Sequence, residues 1–388
     1  MVLGARSSDG ERYSPSPVRQ LLALAVVVLM TACGARTVPA TTPHWQTIGE
    51  LAQARAYASA VALSNGKILV VGGFDRSAEN VMNAKSELID PATGNVTLLP
   101  QPLLGRVHQS ITAAWEDLVV VAGGVEWRET YWSPVDRVDV FRPSQRGWVL
   151  GAPLHHPRSD HAATALQDGR VFVTGGNANT TLLASSEIYN PRSDKWTEAA
   201  PLPRARTQHS AVTLFDGRVL VSGGIDADGA PTNTTFIYDP GTDTWTDGPP
   251  MTVARFQQVA VALPTGDVLY AGGDGVASGT SEVYRFSEGR FVASGTLVTP
   301  RLVAQGAALP DGRVVLSGGL PLRMHEFAPL SSVEIWDPKT GLWSALPPAP
   351  TSRAWGSIVI VRGVVYQLSG TGDGETAYRT IERLALNQ

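Results

Sequence analysis

The sequence has one cysteine, Cys33, in 388 residues. A single thiol cannot close an internal disulfide or build a multi-cysteine zinc site, so stability must come from packing and strand pairing. Charge is sparse too: charged residues make up 17% and the net charge is −4. Without a dense basic patch there is no electrostatic footprint for nucleic acid, which is not expected as a partner. Long apolar runs are also missing. The longest, LLALAVVVLM from Leu21 to Met30, has ten residues, about half of the roughly 20 that a membrane-spanning helix needs. No 3.6-residue apolar period is sustained after residue 45, which argues against long helices. What the chain does have is glycine, 39 of them, and 27 prolines. That composition suits many short strands joined by tight turns.

The apolar run has Arg19 before it and the small residues Thr31 and Ala32 after it, the pattern of a signal-peptide core. It ends in Leu29-Met30-Thr31-Ala32-Cys33-Gly34. This resembles the lipobox of bacterial lipoprotein signals, with Met30 where leucine is usual. The resemblance implies cleavage before Cys33 and acylation of that residue, and several acyl chains would anchor the chain stably where one would not. The other reading is plain secretion, with Cys33 left as a free thiol or removed. Gly34 resembles the pattern sorted to an outer membrane. The expectation is therefore an exported chain, lipid-anchored at the bacterial outer membrane, or periplasmic or extracellular if not lipidated. Any contact with a membrane would be through that anchor only. Residues 1–33 are read as the signal, 34–43 as a flexible tether and 44–388 as the folded body. Residues 1–17 are long and polar for a signal and carry Asp9 and Glu11, so translation is expected to start at Val18 rather than Met1.

A doubled glycine after an apolar run recurs at Gly72-Gly73, Gly123-Gly124, Gly175-Gly176, Gly223-Gly224, Gly272-Gly273 and Gly318-Gly319. The steps are 51, 52, 48, 49 and 46 residues, and a degenerate copy, Ser369-Gly370, follows 51 residues later. The fourth copy shows the order within a repeat. Arg206 is followed by QHSAVTL, the turn Asp216-Gly217, RVLVSGG, a loop, FIYDP and finally Trp245. Two short apolar runs around Asp-Gly read as a hairpin. The Asp-Pro pairs at Asp90-Pro91, Asp239-Pro240 and Asp337-Pro338 end a third strand, because proline cannot continue a paired ladder. A fourth strand starts at Trp148, Trp196, Trp245, Phe291 and Trp343, with Val96 in the first copy.

Four strands, a double glycine and a late tryptophan resemble the kelch repeat, over residues 45–386. The resemblance implies an all-β fold: a seven-bladed β-propeller of four-stranded kelch blades, since one such sheet cannot bury both faces alone. Six blades is the alternative count. His44-Trp45-Gln46-Thr47-Ile48 reads as a fourth strand with no blade before it, and Arg353 to Leu386 as three strands with no fourth. The two should join into one blade and close the ring. The double glycine is expected to let inner strands approach where the ring is narrowest. The body also resembles the central propeller of galactose oxidase-like copper radical oxidases. Their Cys–Tyr crosslink cannot form here, because the only cysteine belongs to the signal. No cofactor and no metal is expected.

An arginine opens every first strand: Arg55, Arg106, Arg158, Arg206, Arg255, Arg301 and Arg353. An acid stands four residues before the Asp-Pro proline position in six blades, at Glu87, Asp139, Glu187, Glu282, Glu334 and Glu382, whereas blade four has Phe236. Two readings follow. Each arginine pairs with an acid and fixes the loops, as partly buried forks do, or the arginines face the channel mouth and hold an anionic ligand. Arg206, without an acid, is then the freest. The blade-two loop Val125–Trp132 carries Trp127, Tyr131 and Trp132, and exposed rings of this kind are either packed or used for stacking on sugars or peptides. The blade-six loop carries Arg323 and His325, and Trp355 stands near Arg353. The ligand-binding candidates are therefore Arg206, Trp127, Tyr131, Trp132, Arg323, His325 and Trp355. His108, His161 and His209 follow the repeat arginines by two or three residues and read as parts of the repeat, not as a metal set. His155-His156 reads as an exposed pair. No GxSxG elbow, metalloprotease helix or phosphate-binding loop is present, and no catalytic residue is named. The leading expectation is a non-enzymatic binding module at the cell envelope with a protein or glycan partner. The alternative is a carbohydrate-acting enzyme of epimerase or lyase type, since fold alone does not decide function.

Overall fold

A computed structural model describes residues 42–75, 81–82, 84–99, 104–321, 328–374 and 376–386. They form seven four-stranded antiparallel sheets. In the fourth blade the strands run Ser210–Thr213, Val219–Ser222, Thr235–Asp239 and Thr244–Asp247, from the inside outward. Every innermost strand touches the innermost strands of both neighbouring blades, including Ser59–Ala62 against Ser357–Val361. The blades therefore close into a ring.

The sequence of the second strands explains why the blades stack. ILVV, VVVA, VFVT, VLVS, VLYA and VVLS are buried at every position. Such strands are apolar on both faces, and β-branched residues fit the pleat. Each core lies in the slab between two blades. Leu69 and Val71 of blade one, for example, pack with Val119, Val121, Phe141 and Trp148 of blade two. The late tryptophans also tie blades together. Trp196 Nε1 donates to the Ala152 carbonyl at 2.9 Å and Trp245 Nε1 to that of Ala200 at 2.8 Å, each on the chain entering its blade.

The N-terminal strand, Trp45–Glu50, pairs antiparallel with Thr380–Ala385, Trp45 opposite Leu384 and Glu50 opposite Thr380. It is the outermost strand of blade seven. Trp45 Nε1 donates to the Pro347 carbonyl at 2.8 Å, fixing the strand to the linker that enters that blade.

Two local expectations need correction. The repeat arginine does not open the inner strand but lies four residues before it, as Arg206 does before Ser210. The residue after the arginine bridges instead to the segment just beyond the glycine doublet: Ala56 to Phe74, Val107 to Val125, Ser159 to Asn177 and Thr207 to Ile225. The doublet serves the next blade rather than a narrow inner strand. Gly223 and Gly224 have φ of 66° and 95°, and a Cβ on Gly223 would sit 2.5 Å from the Arg255 carbonyl oxygen. Only glycine adopts this path without strain. It brings the Gly224 N–H to the Arg255 carbonyl at 2.9 Å. The same bond recurs seven times, from the second glycine of each blade to the arginine of the next, and it closes with Gly370 to Arg55 at 2.9 Å.

Candidate functional site at the channel mouth

The repeat arginines are fully buried, and six meet the acid of their own blade. Arg55–Glu87, Arg106–Asp139, Arg158–Glu187, Arg255–Glu282 and Arg353–Glu382 lie 2.5 to 2.9 Å apart, and Arg301 is bonded to Glu334. Arg158 also donates to the Gly175 and Ser185 carbonyls at 2.9 and 3.0 Å. The second carboxylate oxygen of Glu187 accepts the His155 N–H, at 2.8 Å, from the incoming linker. The pairs are thus joints between doublet, third strand and linker, as expected of partly buried forks. Arg206 does not stand free for a ligand: it is 0% exposed. It donates to the Gly223 and Thr234 carbonyls at 2.8 and 3.0 Å and lies over the Phe236 ring, where the other blades have the acid. Burial lowers its pKa to about 10, with Asp226 opposing.

Two residues after each arginine the backbone turns left-handed. Tyr57, His108, Asp160, Gln208, Gln257, Val303 and Trp355 all have φ between 48° and 57°. A non-glycine residue there costs about 1–2 kcal/mol, and a β-branched one such as Val303 is a marked outlier. Backbone bonds around the ring hold the conformation. Tyr57 N–H donates to Trp355, Gln208 to Asp160 and Gln257 to Gln208, at 2.9, 3.0 and 3.3 Å. The strain turns these side chains into one cavity of about 520 Å³ at the channel mouth. Strain sustained at every blade is a pointer to function, and the side chains differ while the frame repeats.

The next residues form a second tier of the same space. Gln109, His161, His209 and Gln258 project from blades two to five, whereas blades six, seven and one offer Ala304, Gly356 and Ala58. One half of the tier is polar and the other small. Several buried polar atoms of the polar half have no partner among the described residues: Gln109 Oε1, His161 Nδ1 and Gln258 Oε1, together with Gln208 Oε1 above them, whereas His209 bonds the Thr174 backbone. Burial lowers the His161 pKa to about 3, aided by the Arg158 charge, and drives His209 well below its ordinary value, aided by Arg206. Both rings are neutral at pH 7 and offer one donor and one acceptor each. Above them His108 Nδ1 bonds Asp160 Oδ1 at 2.8 Å across the gap between blades two and three. Burial opposes the Asp160 charge, but His108 outweighs it and holds the carboxyl below the usual range.

An aromatic belt over blades seven, one and two adjoins the polar half, Tyr57 lying 5.3 Å from the His108 ring. Tyr57 stacks on Trp355 with centroids 4.6 Å apart and on Phe74 at 5.5 Å. Phe74 meets the edge of Trp132 at 6.2 Å, and Trp132 that of Trp127 at 5.1 Å. The blade-two loop is itself a hairpin, Val125–Arg128 with Tyr131–Pro134, which sets Trp127 opposite Trp132. The two rings pack on each other and remain 39% and 42% exposed, and Tyr131 is 55% exposed. Trp355, Trp132 and Trp127 are thus brought into one belt. Tyr57, Phe74, His108 and the polar tier were not singled out as ligand contacts from sequence. Their constant offset from the arginine was the available signal. Arg323, His325 and Cys33 lie outside the described residues.

The family model described as Kelch motif matches residues 157–203 and 206–252, which are blades three and four. The chain is 30% identical over 122 residues to "Kelch-like protein terF" of Aspergillus terreus (strain NIH 2624 / FGSC A1156), a match covering 30% of this chain and 26% of that protein. The match therefore spans about a quarter of the relative's length. A solved structure described as a novel fungal alcohol oxidase with catalytic diversity among the AA5 family, in complex with copper, superposes with a TM-score of 0.73 at 17% identity, over 89% of this chain and 76% of that one. At that identity the likeness is one of fold. Among the described residues no three His, Cys, Asp or Glu side chains gather as a metal site. The chain is a seven-bladed β-propeller in which two blades match the Kelch motif, six carry the glycine doublet, and all seven share the four-stranded order.

Proposed function

We propose that the protein is a non-enzymatic binding module, held at the bacterial cell envelope through a lipidated Cys33, whose channel mouth takes a neutral glycan. The observation that carries the ligand class is the cavity's two-sided lining. Stacked rings of Tyr57 and Trp355 share it with the amide and imidazole side chains of Gln208, His209 and Gln258. A pyranose has an apolar C–H face and a rim of hydroxyls that both donate and accept. It would cover the aromatic face, bond the neutral amide and imidazole groups and donate hydroxyls to the Asp160 carboxylate. A few convergent polar groups on an apolar wall are the usual make-up of a small-ligand site.

The enzymatic alternative would draw on His161 and His209 as proton carriers. A group works best as an acid or base when its pKa lies near the operating pH. Burial holds both far below that range, which supports hydrogen bonding over proton transfer. The test is a glycan and peptide array probed with the purified chain and with Trp355→Ala. Binding to neutral glycans that the variant loses is expected. Binding to peptides alone would overturn the glycan reading, and turnover of a bound sugar would overturn the non-enzymatic one.

A further inference from the structure

The mouth cavity does not end at the ring. A second space of about 350 Å³ shares Tyr57, His108 and Asp160 with it and runs outward past Phe74 and Trp132. Among the described residues, Phe74 and Trp132 line this path with Tyr57. At the position of Phe74, the bridge partner beyond the glycine doublet, the other blades carry Val125, Asn177, Ile225, Asp274, Leu320 and Thr371. Among the described residues blade two extends the line, through the Trp127–Trp132 pair at the end of its hairpin. A single sugar seated in the mouth would not reach these rings. Exposed tryptophans in a contiguous strip are costly unless something covers them, and the strip joins a cavity that the amide side chains of Gln208, Gln257 and Gln258 line.

Resting on the glycan reading above, we propose that the ligand is a linear neutral oligosaccharide bound by its end. Its terminal unit sits in the mouth against Tyr57, Trp355 and the polar tier. The following units leave between blades one and two, with their C–H faces over Phe74, Trp132 and Trp127. The polar tier then reads the terminal hydroxyls, and the outer rings add affinity for length with little demand on linkage, because stacking uses the ring face rather than particular hydroxyls.

The test is calorimetric titration of the purified chain with cello-, malto- and chito-oligosaccharides of one to six units. In the series that binds, affinity should rise about tenfold or more between two and five units and then level off. Trp132→Ala should bring the ratio of five-unit to two-unit affinity close to one, whereas Trp355→Ala should weaken every length. Thermal melts establish that each variant is folded, and Trp127→Ala probes the same outer end should Trp132→Ala fail to fold. Binding that is flat with length, or a ratio that Trp132→Ala and Trp127→Ala leave intact, would overturn the extended ligand while the mouth site stands. If no neutral sugar of any length binds, both readings fall.

Discussion

The Arg206 guanidinium lies 4.8 Å from the ring centre of Phe236, at the place where each of its six sister arginines meets a carboxylate. The rest of its bonding is unchanged. It still reaches the carbonyl of the first glycine and that of the residue before the third strand, Gly223 and Thr234. A cation over an aromatic face keeps part of the electrostatic attraction without a second buried charge. Blade four thus solves the same joint with one ion instead of two.

That difference sets the order of two substitutions. Arg158→Ala strands the buried Glu187 carboxylate, which loses its partner at 2.6 Å, and should cost about 3–5 kcal/mol. Arg206→Ala strands carbonyl oxygens but no carboxylate, and should cost less, about 1–3 kcal/mol. Urea unfolding of the two variants beside the wild type gives the order, and equal losses would mean that the acid contributes nothing.

Acid should weaken the fold through the channel. His161 has a folded pKa of about 3 against about 6.5 unfolded. Above pH 6.5 both states are neutral and the group contributes nothing. Between those values the unfolded chain takes up a proton that the folded one refuses, so stability falls as pH falls. At pH 5 the loss from this residue is about 2 kcal/mol by linkage, and His209 acts in the same direction. His161→Gln should lose less stability than the wild type between pH 7.5 and 5.0. Parallel unfolding curves at the two pH values provide the check.

Deleting the chain through Glu50 removes the outer strand of blade seven and opens the Thr380–Ala385 edge. Open edges invite pairing with other chains. The truncated protein should melt about 5 °C or more lower and associate on heating. Trp45→Ala, which loses only the ring and its bond to Pro347, should fall between it and the wild type. A truncation that melts like the wild type would show that closure does not hold the ring.

Cys33→Ser should move the protein from the membrane to the soluble fraction, and radiolabelled fatty acid should mark the wild type alone. Equal membrane retention of both forms would remove the lipid anchor from the account.

The ring was legible in the sequence because its parts are spelled in residue types. Doublets such as Gly223-Gly224 and turns such as Asp216-Gly217 mark places where few residues fit. The pairing of Arg158 with Glu187 was open as one of two readings, and their shared burial decides it. The mouth was less legible. Tyr57, Gln257 and Val303 adopt a backbone shape that glycine favours, so their chemistry hides their geometry. Only their fixed distance from the arginine gives them away. Trp127 and Trp132 were visible as unusual residues, but the path joining them to Trp355 runs through Tyr57 and Phe74. Contacts across three blades have no local signature.

The bonds from each second glycine to the following arginine form a closed circuit, and the one from Gly370 to Arg55 is no different in kind from the one between Gly224 and Arg255. Trp45 and Leu384 face each other across the antiparallel pair of blade seven, so both sides of the seam lie within one sheet. A short covalent bridge across that seam, with a new opening in an exposed turn such as Ser287–Gly289, would yield a circular permutant in which every one of these bonds survives. The ring has no first member, and its blades can be read from any of seven starting points.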